Sequence, residues 1–197
     1  MKLRVLVSLL LLGFGGAWTG CAGRSGEPPA PPAKPAAGSQ PVQAGGPAAL
    51  PEITLGTITP AGVAGVVKKH EGKVVLVDFW ATWCQPCKEL FPHTVDLHRA
   101  LSGRGLVVIS VSLDDAEAEP AALKFLTASK AGFENYLVDT GASSESFEAL
   151  GITNGALPFV RLYDRAGKLR KTFAAPIDPA KVEESVKELL AEPAPAV

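Results

Sequence analysis

Three cysteines, one methionine and two tyrosines are all that 197 residues contain of these types. Three cysteines are too few for a domain stapled by several disulfides. A copper site built from methionine thioethers is excluded by a chain whose one methionine is Met1. Neither charge sign dominates: 19 basic against 20 acidic residues leave a formal net charge of −1. The basic face of a nucleic-acid binder is therefore not expected. No apolar run approaches the ~20 residues that cross a bilayer as a helix. No internal repeat is visible, and the length suits one domain with extensions.

What is present is distributed unevenly. Lys2 and Arg4 precede an apolar stretch from Val5 to Phe14, and small residues follow. This is the layout of an export signal over residues 1–20. Cys21 comes directly after Trp18, Thr19 and Gly20, an arrangement resembling a bacterial lipoprotein signal, in which the cysteine receives the lipid. Such signals usually carry an aliphatic residue where Trp18 stands. Residues 22–51 hold 8 of the 17 prolines, 8 alanines, 5 glycines and no aromatic residue. A segment of this composition buries too little apolar surface to offset its chain entropy, so residues 21–51 read as an extended disordered tether. Cleavage before Cys21 leaves 17 basic and 20 acidic residues, a net −3. Membrane association is then expected from lipid on Cys21 and not from charge.

Residues 52–192 read as one globular domain, with 193–197 as a disordered tail. Continuous apolar runs from Lys73 to Trp80 and from Leu106 to Ser112 suit central strands covered on both faces. Phe159–Tyr163, a turn containing Gly167, and Leu169–Phe173 suit a hairpin. Helical patterns open at Thr59–Pro60, near Cys84, near Glu117, at Ser143 or Ser144, and at Asp178–Pro179, and a short strand is expected at Tyr136–Val138. The alternation predicts an α/β sandwich with a mixed sheet, parallel at its centre and with the hairpin at one edge.

Cys84 and Cys87 enclose Gln85 and Pro86 where a strand gives way to a helix. This spacing brings the two sulfurs within reach of a disulfide. At a helix N-terminus, unpaired N–H groups and the dipole favour thiolate over thiol, which makes Cys84 the attacking sulfur. Pro86 fits the first turn, where its missing N–H costs nothing. Zinc needs about four ligands, and neither a second cysteine pair nor a suitable spacing of His70, His93 and His98 supplies them. A purely structural disulfide over so small a loop removes little unfolded-state entropy. The strand-to-helix position argues against two inert buried cysteines, so redox chemistry is the favoured reading. Asp78, inside the apolar run, is expected to be buried with a raised pKa and to act as proton acceptor for Cys87. His93 and His98 are expected at the surface, and Asp114–Asp115 are read as turn and helix-start residues.

The stretch from Val77 to Lys88 resembles the active-site signature of the thioredoxin superfamily, and Pro92 resembles that family's kinking proline. The segment from Gly151 to Phe159 resembles the one that carries the family's cis-proline. The resemblance implies a thioredoxin-like three-layer α/β/α sandwich, with Pro158 facing Cys84 and Leu157 offering its backbone to a substrate strand. Trp83, Gln85 and Pro86 would complete the substrate-binding surface, with Trp80 and Trp83 shielding the site. No cofactor is implied beyond the redox-active Cys84–Cys87 pair, and no metal.

The export signal, the tether and an insertion between Val111 and Gly151 resemble the membrane-tethered branch typified by TlpA and ResA. Gln85, and Leu157 where Thr often stands, depart from that pattern. The branch implies a periplasm-facing lipoprotein of the bacterial cell envelope that reduces disulfides of exported proteins, as in cytochrome c biogenesis. It would be recharged by a membrane electron donor of the DsbD/CcdA type. Two alternatives remain. One is a peroxiredoxin-like peroxidase, whose Pro-x-x-x-Thr-x-x-Cys pattern is absent because Thr82 precedes Cys84 by only two. The other is a non-enzymatic copper metallochaperone on the same fold.

Overall fold

A computed structural model describes residues 52–193. The expected signal, Cys21 and the tether lie outside the described residues, as does the expected tail beyond Pro193. Among the described residues no helix is long and apolar enough to cross a membrane.

Six strands form one sheet: β1 (Gly56–Ile58), β2 (Val74–Trp80), β3 (Leu106–Ser112), β4 (Glu134–Val138), β5 (Phe159–Tyr163) and β6 (Leu169–Ala174). Their order is β1-β4-β3-β2-β5-β6. The first four in that order run parallel, and β5 and β6 are antiparallel to their neighbours. All seven residues of β2 are buried, as its unbroken apolar run requires of a strand covered on both faces. The insertion places β4 between β3 and β1, a position that no local pattern encodes.

The helices are α1 (Gly62–Lys69), α2 (Gln85–Leu101), α3 (Glu119–Ser129), α4 (Ser144–Ala149) and α5 (Pro179–Ala191). Alternation along β2 divides the core. Val75, Val77 and Phe79 share one cluster with Val63, Val66 and Val67 of α1. Val74 and Leu76 share another with Leu90, Leu97 and Leu101 of α2 and Val182, Val186 and Leu189 of α5. The three-layer sandwich is the result. α1 starts two residues after the expected point, because Thr59 and Pro60 form a turn that ends with the Gly62 N–H on Thr59 Oγ1, 3.0 Å away. Ser143 and Asp178 cap α4 and α5, accepting from the N–H groups of Ser146 and Ala180. α3 is preceded by a 3₁₀ turn over Ala116–Ala118, so it begins at Glu119 and not at Glu117.

The hairpin is fastened to the end of α5. The Arg165 guanidinium donates to the carbonyls of Leu189, Leu190 and Glu192 at 2.7–3.0 Å, supplying partners that a helix C-terminus lacks. β6 is the outermost strand and is almost fully exposed. Its Arg170 and Lys171 pair with Glu192 and Glu188, at 2.8 and 2.9 Å.

Candidate active site

β2 ends at Trp80, and four residues later the chain turns into α2 at Cys84. Cys84 is the N-cap, in extended conformation, and its Sγ accepts the N–H of Cys87 at 3.2 Å. The two cysteines form a disulfide, their Cα atoms 5.3 Å apart. Cys84 is 5% exposed and Cys87 2%, so both residues are buried and Cys84 is the less enclosed. Pro86 lies in the first turn of α2, where no N–H is required of it.

Asp78 lies on β2, opposite Ser110 of β3 and Val160 of β5, and is 2% exposed. Burial pushes its pKa up from 3.8 to about 6, and the one hydrogen bond it accepts, from Thr94 Oγ1 at 2.7 Å, pulls the other way. No cation pairs with it among the described residues. Thr94 stands seven residues beyond Cys87 on α2, about 10 Å along the helix axis. The carboxyl group and the inner sulfur therefore share one face of α2, without a direct hydrogen bond between them.

A second buried carboxylate holds the segment that leads into the sulfur pair. Asp114 is fully buried and accepts four hydrogen bonds through its two oxygens. The Thr82 N–H contacts both oxygens (2.9 and 3.0 Å), and the Thr82 and Ser112 hydroxyls donate at 2.6 Å each. Thr82 is two residues before Cys84. Asp114 and Asp115 stand in the connection after β3, with Asp115 at the start of the 3₁₀ turn as read from the sequence, and Asp114 in addition clamps the segment that leads to Cys84. Two adjacent acids after a strand carry no local mark of this, since the partner lies 32 residues away. His93 and His98, expected at the surface, are only partly exposed, each with one buried ring nitrogen lacking a partner among the described residues. His98 meets Phe133 edge-to-face.

The two tryptophans divide the shielding role that was expected of both. Trp80 is fully buried against Phe91 and Phe125, with ring centroids 5.1 and 4.8 Å apart. Trp83, next to Cys84 in sequence, is 59% exposed. Leu157–Pro158 is a cis peptide bond, as the resemblance implied, and so is Ala175–Pro176. Pro86, Pro158, Pro176 and Ile177 line one apolar groove of about 470 Å³, with Glu89 on its wall. Gln85 is exposed, and its amide donates to Glu89 Oε1 at 3.1 Å. Leu157 is buried next to Pro158. The fold thus brings Pro86 and Pro158 to one groove beside the disulfide, with Trp83, Gln85 and Leu157 adjoining in sequence. Among the described residues no three His, Cys, Asp or Glu side chains gather as metal ligands.

Residues 50–176 match the family model described as the AhpC/TSA family. Thiol-disulfide oxidoreductase ResA of Oceanobacillus iheyensis is 47% identical over 47 residues, 24% of this chain and 24% of that one. ResA of Bacillus thuringiensis subsp. konkukian is 27% identical over 123 residues, 62% of this chain and 67% of that one. The matches to these two curated relatives thus span a quarter to two thirds of their length. Among solved structures, one titled a putative thiol:disulfide interchange protein DsbE from Chlorobium tepidum is 28% identical. It superposes with a TM-score of 0.54 over 64% of this chain and 85% of that one.

Proposed function

The chain belongs to the AhpC/TSA family, and from that premise we propose that it is a thiol:disulfide oxidoreductase of the ResA/DsbE type working through Cys84 and Cys87. The observation that carries this reading is the disulfide at the N-terminus of α2, with Cys84 Sγ accepting the Cys87 N–H and a buried carboxyl of raised pKa on β2, bonded to the same helix through Thr94. In the reduced protein the Cys84 thiolate attacks one sulfur of a client disulfide. The client's other sulfur leaves as a thiolate and takes a proton, and a mixed disulfide remains on Cys84. Cys87 then gives up its proton, with Asp78 as the acceptor that takes it. Its thiolate attacks Cys84 Sγ, releases the second client thiol and restores the Cys84–Cys87 bond. Two electrons pass from the protein dithiol to the client.

The finer reading rests on the N-terminal sequence. Lipid on Cys21 and the tether hold the domain on the periplasmic side of a bacterial envelope. There it reduces exported proteins, apocytochrome c among the candidate clients, and a DsbD/CcdA-type membrane protein resupplies electrons. Trp83, Gln85, Pro86, Leu157 and Pro158 present the client strand to Cys84.

Reduction of a peptide disulfide by the pre-reduced protein tests the core of the proposal. Cys84→Ser abolishes turnover, and Cys87→Ser traps the mixed disulfide; full activity in either variant overturns the mechanism. Turnover of peroxide by the reduced protein would instead favour a peroxidase. A reduction potential near ~−270 mV supports a reductant, and one near ~−120 mV reverses the direction. Mass analysis of the membrane-bound chain tests the lipid on Cys21.

A further inference from the structure

Arg161 stands on β5 opposite Val77 of β2, which turns its side chain toward the layer of α1 and α4. At equivalent places on β2 and β3 the sheet presents Val75, Val77 and Ile109. The guanidinium carbon lies 5.9 Å from the centre of the Phe79 ring and 5.7 Å from that of Phe159. Its Nε is buried without an acceptor, and among the described residues no carboxylate pairs with it. Gly151, at φ +61°, leaves the group its room, because a Cβ there would collide with Nη2. Arg161 also lines a cavity of about 180 Å³, together with Val63, Val67, Ala149, Leu150 and Tyr163.

Aromatic faces attract a cation, but they do not satisfy the in-plane N–H donors of a guanidinium. A half-buried cation with apolar walls is complemented by an anion, and the planar fork of Arg matches a carboxylate. The size of the cavity narrows the class. The volume equals about six water molecules at ~30 Å³ each, room for a compact apolar body behind the charge. We propose that Arg161 and this cavity bind a small monocarboxylate with an apolar body. The site is separate from the sulfur pair but touches its support, since Phe159 follows Pro158 and Gly151 opens the loop leading to it.

Titration of the full oxidised chain with benzoate, read by calorimetry, tests this. Saturable one-to-one binding is expected, with at least about tenfold weaker binding of benzyl alcohol and inorganic phosphate. Arg161→Met, which keeps the stem without the charge, loses benzoate to the same extent, while its melting temperature without ligand is unchanged or raised. Arg161→Lys keeps the charge without the fork and binds benzoate more weakly than the parent. No saturable binding, equal affinity for benzyl alcohol or phosphate, or undiminished affinity in either variant overturns the proposal.

Discussion

Asp78 and Asp114 are both buried to within 2% of full enclosure, neither has a cation beside it among the described residues, and they are built in opposite ways. Asp78 is given one donor, the Thr94 hydroxyl. Asp114 is given the N–H and hydroxyl of Thr82 and the hydroxyl of Ser112. Donors that favour the charged form are what make a buried carboxylate tolerable. A carboxylate supplied with them is a fixed anchor for the chain that donates, here the segment entering Cys84. One left short of them retains a high proton affinity and can exchange its proton near neutrality. Burial alone therefore says little about role, and the count of donors says more.

The contrast can be broken first at the anchor. Asp114→Ala leaves the Thr82 N–H and two hydroxyls without their acceptor, and a buried donor left unsatisfied costs ~1–3 kcal/mol. A loss of about 4 kcal/mol is expected in urea unfolding, together with slower thiol–disulfide exchange.

The opposite sign is expected at Asp78. Below pH ~4 its carboxyl is protonated in both folded and unfolded chains, and burial costs nothing extra. Between ~4 and about 6 only the unfolded chain ionises, so stability falls as pH rises through that window. Above it the whole penalty is in force. The distance from 3.8 to about 6, at 1.36 kcal/mol per pH unit, amounts to about 3 kcal/mol. Asp78→Asn escapes this cost, so unfolding at pH 8 should show a gain of up to about 3 kcal/mol that disappears by pH 4. Resolution of the mixed disulfide should slow in the same variant.

The smallest effect sharpens the comparison. Thr94→Val removes the one bond that lowers the Asp78 pKa, so the pH profile of resolution should move upward. The variant should lose about 1 kcal/mol above neutrality and less in acid, where the carboxyl is neutral.

Much of this fold is legible in the sequence where a residue's role depends on its neighbours along the chain. β2, β3 and β5 are marked by apolar runs or alternation, Cys84 and Pro86 by helix-start chemistry, and Asp78 by the apolar residues that enclose it. What escapes is set by partners distant in sequence. β1 is three residues long, half-exposed at best, and exists because β4 pairs with it. Asp114 earns its position from Thr82, and the half-burial of His98 comes from Phe133, each more than thirty residues away. The start of α1 was misplaced for a local reason: a Thr–Pro pair fits a turn as well as a cap, and Gly62 decides between them.

A sheet with free edges invites the same sheet from another molecule. β6 is such an edge, six residues long and open to water along its length. An incoming strand would meet Arg170 and Lys171 side by side, each already drawn to an acid at or beside the end of α5. To join, it would have to strip water from two cations and compete with Glu192 and Glu188 for them. The ion pairs that trim this border thus raise the cost of adding a seventh strand beside β6.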